Sequence, residues 1–339
     1  MHQETKICQN CKTEFTIEPE DFAFYEKIKV PPPTWCPTCR MVRRMIFRNE
    51  RTLYRRKDAL SGKNIISVIA PEKPYAVYDY KEWWSDAWDP MEYGADYDFG
   101  KSFFLQLQDL WRRVPMVALI NGNATRSEYC QHADYSKDCY LTSAALQVEN
   151  ILYSNRVWKC KDSIDLYIAG DSEFCYDNTN CKNCYKDFYS LNSTQCRDSS
   201  FLFNCVNCNN CFGCTNLRNA SYCIFNKQYS KEEYQKEIGK FDLGSGTTVA
   251  NTKERVQELR KHTIHKYADI KKSVDVSGDN ISEAKNCHQC FDVFGPVEDS
   301  KFQWWGGVGL NDSYDGGPGT GDRSELLYEG VDNGIQSSR

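Results

Sequence analysis

Cys8-Gln-Asn-Cys11 and Cys36-Pro-Thr-Cys39 are two Cys-x-x-Cys pairs, separated by positions 12–35. A two-residue gap lets both thiolates of a pair reach one ion. Two such pairs complete a Cys₄ tetrahedron, the arrangement of a structural zinc site. Four thiolates leave no open position for a water, so hydrolysis at that metal is not expected. A second run, Cys205-Val-Asn-Cys-Asn-Asn-Cys-Phe-Gly-Cys214, spaces Cys205, Cys208, Cys211 and Cys214 three apart. Three of these match the spacing of a ferredoxin cluster motif, but the fourth does not and no Pro follows. An iron–sulfur cluster or second zinc is one reading of that run. The favoured alternative is packed free thiols, because residues i and i+3 of a strand point apart unless a turn intervenes.

The elements around the first four cysteines are short. Phe15-Thr-Ile17 alternates as a strand does, Phe22-Ala-Phe-Tyr25 follows, and Pro31-Pro-Pro33 straightens the approach to the second pair. From Arg40 to Lys57 there is no Gly or Pro, and Met41, Met45, Arg48 and Thr52 stand a turn apart, which predicts a helix. A knuckle, a short hairpin and a second knuckle at a helix start make the treble-clef order. With Glu20-Asp-Phe-Ala-Phe-Tyr25 and Cys36-Pro-Thr-Cys39-Arg40, residues 6–48 resemble a bacterial family of probable zinc-ribbon proteins. The resemblance implies zinc binding and fixes no activity.

The predicted helix carries Arg40, Arg43, Arg44, Arg48, Arg51, Arg55, Arg56 and Lys57 against Glu50 alone. Arginine forks suit phosphate, so these eight are candidates for contact with nucleic acid or a ribonucleoprotein. The competing expectation is that the forks pair with the acidic body of the same chain. Residues 1–60 hold 12 Lys/Arg against 8 Asp/Glu (+4), and the remainder holds 30 against 39 (−9).

The rest of the chain is organised by a repeat. Lys137-Asp-Cys-Tyr, Glu149-Asn-Ile-Leu, Lys161-Asp-Ser-Ile, Lys182-Asn-Cys-Tyr and Asn209-Asn-Cys-Phe share one pattern. Its steady recurrence marks a solenoid. We expect a mainly β chain: a parallel β-solenoid (β-helix) with half-coils of about 11–12 residues, two per turn. Small apolar Cys would recur because the coil recurs. Asn and Asp would take its left-handed corners.

The expected divisions are a zinc module with its basic helix at 1–58 and an aromatic connecting or capping layer at 59–126. The solenoid follows at 127–228, a helical insertion at 229–276, and solenoid again at 277–339. In the second of these, Ile65–Ile69, Ala76–Tyr80 and Met116–Ile120 read as strands, and Phe103–Trp111 as a helix with one apolar face behind Ser102. Ser230-Lys-Glu-Glu233 is a capping box, and residues 253–272 read as a second, charged helix. The pattern reaches Arg339 without an apolar cap, which is expected of a piece of a longer protein or of a last coil that a protein partner covers; a partner could also lie along the solenoid's face.

No run of about 18 apolar residues occurs and the start lacks a signal-peptide core, which predicts a cytoplasmic protein with mostly reduced or metal-bound thiols among its 18 Cys. Solenoids of this kind also carry carbohydrate-active enzymes, for which Asp162, Asp165, Asp171 and Glu173 would have to meet on one face. No catalytic residue stands out otherwise. Over nearly its whole length the chain is also similar to a group of uncharacterised proteins of small-genome bacteria, through Tyr78-Asp-Tyr-Lys-Glu-Trp-Trp, Cys211-Phe-Gly-Cys-Thr-Asn and Tyr222-Cys-Ile-Phe-Asn. That likeness transfers no activity.

Overall fold

The computed structural model describes residues 2–332 and 336–338; Arg339, where the repeat breaks off, lies outside them. The protein is mainly β and divides into two compact units, one formed by residues 1–49 and 265–339, the other by residues 50–264.

In the first unit, β1 (Glu4–Ile7) and β2 (Glu14–Ile17) form an antiparallel hairpin whose loop carries Cys8 and Cys11. Helix α1 (Pro19–Lys27) takes up residues 22–25, and helix α2 (Pro37–Met45) starts on Cys36. The predicted helix over 40–57 is therefore too long. It ends at Met45, and Arg48 already stands beyond it. Its expected last turn is instead strand in the other unit. Residues 265–332 of the first unit are dominated by parallel pairing whose offset varies slightly from place to place, as in Ile270↔Ile281, Phe291↔Trp304 and Gly306↔Thr320.

The second unit begins with antiparallel strands β3 (Tyr54–Lys57) and β4 (Asn64–Ser67). Strand β5 (Val77–Tyr78) pairs in parallel with β6 (Met116–Val117), and the short helix α3 (Tyr80–Trp83) starts behind the cap Asp79. Helix α4 (Phe103–Arg113) forms as expected, but its apolar side chains are not core: Phe103, Phe104, Leu105, Leu107 and Trp111 are exposed.

An eleven-stranded sheet, parallel but for its last pair, follows between Gln131 and Gln228. Its register corrects the expectation of two blocks per turn. Ser143 pairs with Asn155, Asn155 with Tyr167, and Tyr185 with Arg197, each a 12-residue step. One sequence block thus carries the chain to the neighbouring strand, where two were expected. Two helices interrupt the pattern. Helix α5 (Lys231–Ile238) has the capping box of Ser230 and Glu233 that the sequence predicts. Helix α6 (Gly246–Lys261) starts earlier than expected because Ser245 caps it. Among the described residues, no helix is long and apolar enough to cross a membrane.

Within the 12-residue register the chain moves in steps of three. From Asp138 to Asn210 every third residue has φ near +50°. From Cys139 to Cys211 the residue after each of these positions is buried. The left-handed residue turns the chain so that i, i+3 and i+6 all point inward, where a regular strand would alternate them. Asn and Asp tolerate that conformation through local hydrogen bonding, which explains their density at Asn180, Asn183, Asn204, Asn207 and Asn210. Several also bridge successive registers: Asn180 donates to Asn192 at 2.9 Å and Asn207 to Asn219 at 2.7 Å.

The side chains at these buried positions are mostly small, chiefly Ser, Cys and Ala. Inward hydroxyls close the backbone accounting. Ser154 Oγ donates to the Leu152 carbonyl at 2.9 Å and accepts from the Leu166 amide at 3.0 Å. Inward thiols donate to carbonyls in the same way, as Cys205 does to Phe203 and Cys214, both at 3.5 Å.

Candidate metal centre

The sulfur atoms of Cys8, Cys11, Cys36 and Cys39 lie within 4.8 Å of one another, a set that could hold one metal ion. The β1–β2 loop presents the first pair and the N-terminus of α2 the second. The Cys36 amide donates to Cys8 Sγ at 3.2 Å, Asn10 Nδ2 donates to Cys39 Sγ at 3.3 Å, and Cys11 and Cys36 Sγ are 3.8 Å apart. Burial pushes the Cys8 thiol up, but amides of Cys36, Cys11 and Asn10 outweigh it and bring the group down to about 6. Donation from the Thr13 side chain and amide lowers Cys11, while burial pushes Cys36 up to about 12. Donors aimed at sulfur favour thiolate, the form that binds metal. A Cys₄ set with sulfur-directed amides fits a closed, structural site.

The structure separates the eight basic candidates. Arg40 is buried. It holds Asp315 through Nε at 3.0 Å and Nη2 at 2.9 Å, and donates to the Trp35 carbonyl at 2.6 Å. Arg44 meets the other oxygen of Asp315 at 3.5 Å. Arg43 pairs with Glu329 and lies over the Trp35 ring; Arg48 pairs with Asp332 and lies over Trp305. These contacts all fall within the first unit, where Phe24 also stacks on Tyr314 at 4.0 Å and Lys301 reaches Asp21 at 2.7 Å.

In the second unit Arg51 donates to Asn155 at 2.8 Å, and Arg56 donates to the carbonyls of Ile69, Ala70 and Tyr75. Arg55 and Lys57 are exposed on β3. One continuous basic helix face does not form.

Cys205, Cys208, Cys211 and Cys214 occupy successive inward positions, because the turn that brings i and i+3 to one side does intervene, at the left-handed Asn207, Asn210 and Gly213. Their thiols are not drawn together into a single centre. Each donates to backbone carbonyls of its own, Cys208 to Val206 at 3.5 Å, Cys211 to Asn209 at 3.5 Å and Cys214 to Phe212 at 3.4 Å. Among the described residues, the N-terminal four are the only group of three or more possible ligands drawn that closely together.

The four carboxylates considered for carbohydrate chemistry do not converge: Glu173 pairs in register with Lys161, beside Asp162, and the other three are spread along the chain. Asp162, Asp165 and Asp171 take left-handed positions in different three-residue steps of one register, and Asp162 accepts from Asn150 at 2.7 Å.

Two features were missed by reasoning from the sequence. Asp187 is fully buried inside the 12-residue register. It accepts from Ser190 Oγ at 2.7 Å and Asn178 Nδ2 at 3.4 Å, and burial pushes its carboxyl up to about 7. The second is a column of left-handed positions, one per register, that includes Tyr153, Asp165, Asp177 and Tyr189. The three-residue recurrence of Cys and Ser was the signal that would have revealed both.

Neither a family model nor a curated protein matches this chain in sequence.

Proposed function

We propose that the chain is a non-enzymatic scaffold whose N-terminal module binds one structural zinc through Cys8, Cys11, Cys36 and Cys39 in a treble-clef arrangement. The observation that carries this is the convergence of four sulfurs from two knuckles, with backbone and side-chain N–H groups directed at them. Sulfur-only ligation selects zinc or iron over magnesium and calcium, and a closed tetrahedron of this kind is a folding device.

The remaining chain is, in this reading, a parallel β-solenoid of four three-residue sides per coil, with a helical insertion. The 12-residue register and the strict inward period support it. Its long face would meet a protein partner in the cytoplasm. The arginines of α2 act as an internal clamp on Asp315 and Glu329, which favours the acidic body over a phosphate backbone as their target.

Metal analysis of purified protein tests the centre. About one zinc per chain is expected, falling well below that in Cys11→Ser/Cys36→Ser. Metal retained by the double variant would move the site elsewhere, and a brown protein carrying iron would revive the cluster reading of Cys205 to Cys214.

A further inference from the structure

One side of the second unit holds a groove of about 700 Å³, lined by Leu53, Leu141, Tyr153, Asp165 and Tyr167 among others. A smaller one of about 290 Å³ lies beside helix α6, and both are lined by Asp177 and Thr179. Their shared floor is the column of equivalent positions, one per register, running Leu141, Tyr153, Asp165, Asp177, Tyr189, Phe201. The pairing fixes that order: Ile164 pairs with Leu152 on one side and with Tyr176 on the other, and Tyr176 pairs with Phe188. Successive members stand roughly 5 Å apart, the spacing of paired strands.

The chain itself shows what one part of this floor accepts. Lys253, on α6, places its ammonium 2.7 Å from Asp177 Oδ2 and 4.6 Å from the centre of the Tyr189 ring. A carboxylate one strand from a tyrosine face therefore seats an alkylammonium, combining an ion pair with a cation–π contact. The same pair of groups recurs at the other end of the column with the order reversed. Tyr153 is 54% exposed, Asp165 is the next position after it, and among the described residues no hydrogen bond or ion pair engages the Asp165 carboxylate. Leu53 and Leu141 offer apolar surface for a methylene stem.

We propose that the Tyr153–Asp165 end of this groove is a docking site for a lysine side chain of a peptide partner, repeating in trans the seat that Lys253 fills in cis. Burial and the neighbouring Asp177 charge both raise the Asp165 carboxyl, and an incoming ammonium relieves the second of these. An ammonium is the group that the occupied seat already accepts, since Lys253 reaches Asp177 and the Tyr189 face in that way. This inference does not depend on the metal centre.

The probe is a fluorescently labelled Gly/Ser heptapeptide with one central lysine, titrated by anisotropy against the full chain. Saturable binding is expected, weakened at least about tenfold by Asp165→Asn and by Tyr153→Ala, and abolished when the probe lysine is Nε-acetylated. Asn accepts the left-handed backbone at position 165, so the first variant keeps its fold. Lys253→Ala should open the second seat and raise the stoichiometry from one peptide towards two. No saturable binding to the wild type, or equal binding to Asp165→Asn, overturns the proposal. Spermidine binding more tightly than the peptide and displacing it overturns the choice of a peptide partner.

Discussion

Asp187 is a carboxyl that accepts from a serine and an asparagine, and among the described residues no cation pairs with it. Burial disfavours its charged form, so its folded value is raised above that of an unfolded Asp. Below about pH 4 the group is protonated in both states. Between there and about pH 7 only the folded chain keeps the proton, so unfolding releases one and stability falls as pH rises through that window. The span corresponds to about 4 kcal/mol. Urea unfolding at pH 5 and pH 8 should show the part of that loss that falls above pH 5, about 3 kcal/mol, in the wild type, while Asp187→Asn should be nearly flat and more stable at pH 8. Equal slopes for the two proteins would mean that Asp187 titrates normally. The cysteines around it belong to the same interior, where size and a weak donor to carbonyl oxygen account for their recurrence.

Helix α2 shows how one element can serve two purposes. Its N-terminus presents Cys36 and Cys39 to the candidate metal centre, and Arg40 and Arg44, one turn apart, grip a single buried carboxylate. Burial raises the Asp315 carboxyl, and the two guanidinia pull it back. Replacing Asp315 by Asn leaves two buried cations without a counter-ion. The expected cost is roughly 3–5 kcal/mol, read as lost hydrogen-exchange protection of the α2 amides. An apolar triple replacement, Arg40→Met/Arg44→Leu/Asp315→Leu, should recover most of it. By contrast, Glu329→Ala removes the more exposed partner of Arg43 and should cost less than about 1 kcal/mol. If Asp315→Asn were as mild as Glu329→Ala, the clamp would not hold the helix.

At the scale of the whole molecule the decisive quantity is the 12-residue register. Removing residues 164–175 deletes one complete register and brings equivalent residues together across the cut, so each inward position still follows a left-handed one. Removing residues 164–169 keeps the inward phase but shifts every later ladder by half a register. The first deletion should fold with a Tm within several degrees of the parent, and the second should be grossly destabilised or aggregate. Equal tolerance of both would argue against a 12-residue turn. The same register explains why the block length was legible and its meaning was not. Blocks such as Lys137-Asp-Cys-Tyr and Glu149-Asn-Ile-Leu display the period directly. Assigning two blocks to a turn assumed ordinary strands with two-residue alternation, whereas here the chain turns at every third residue.

The sequence by itself determined the candidate metal ligands, because thiolate chemistry and two-residue spacing are local. It likewise determined the capping box of α5, the parallel repeat and the density of Asn and Asp at its corners. Only the tertiary structure decided where α2 stops, that Arg40 and Arg44 close on an Asp315 from the far end of the chain, and that Cys205 to Cys214 all face inward. It also decided that Tyr153, Asp165, Asp177 and Tyr189 form one floor. Each of these depends on what lies opposite a side chain after the chain has turned, and a linear pattern holds no record of that until the turn length is known.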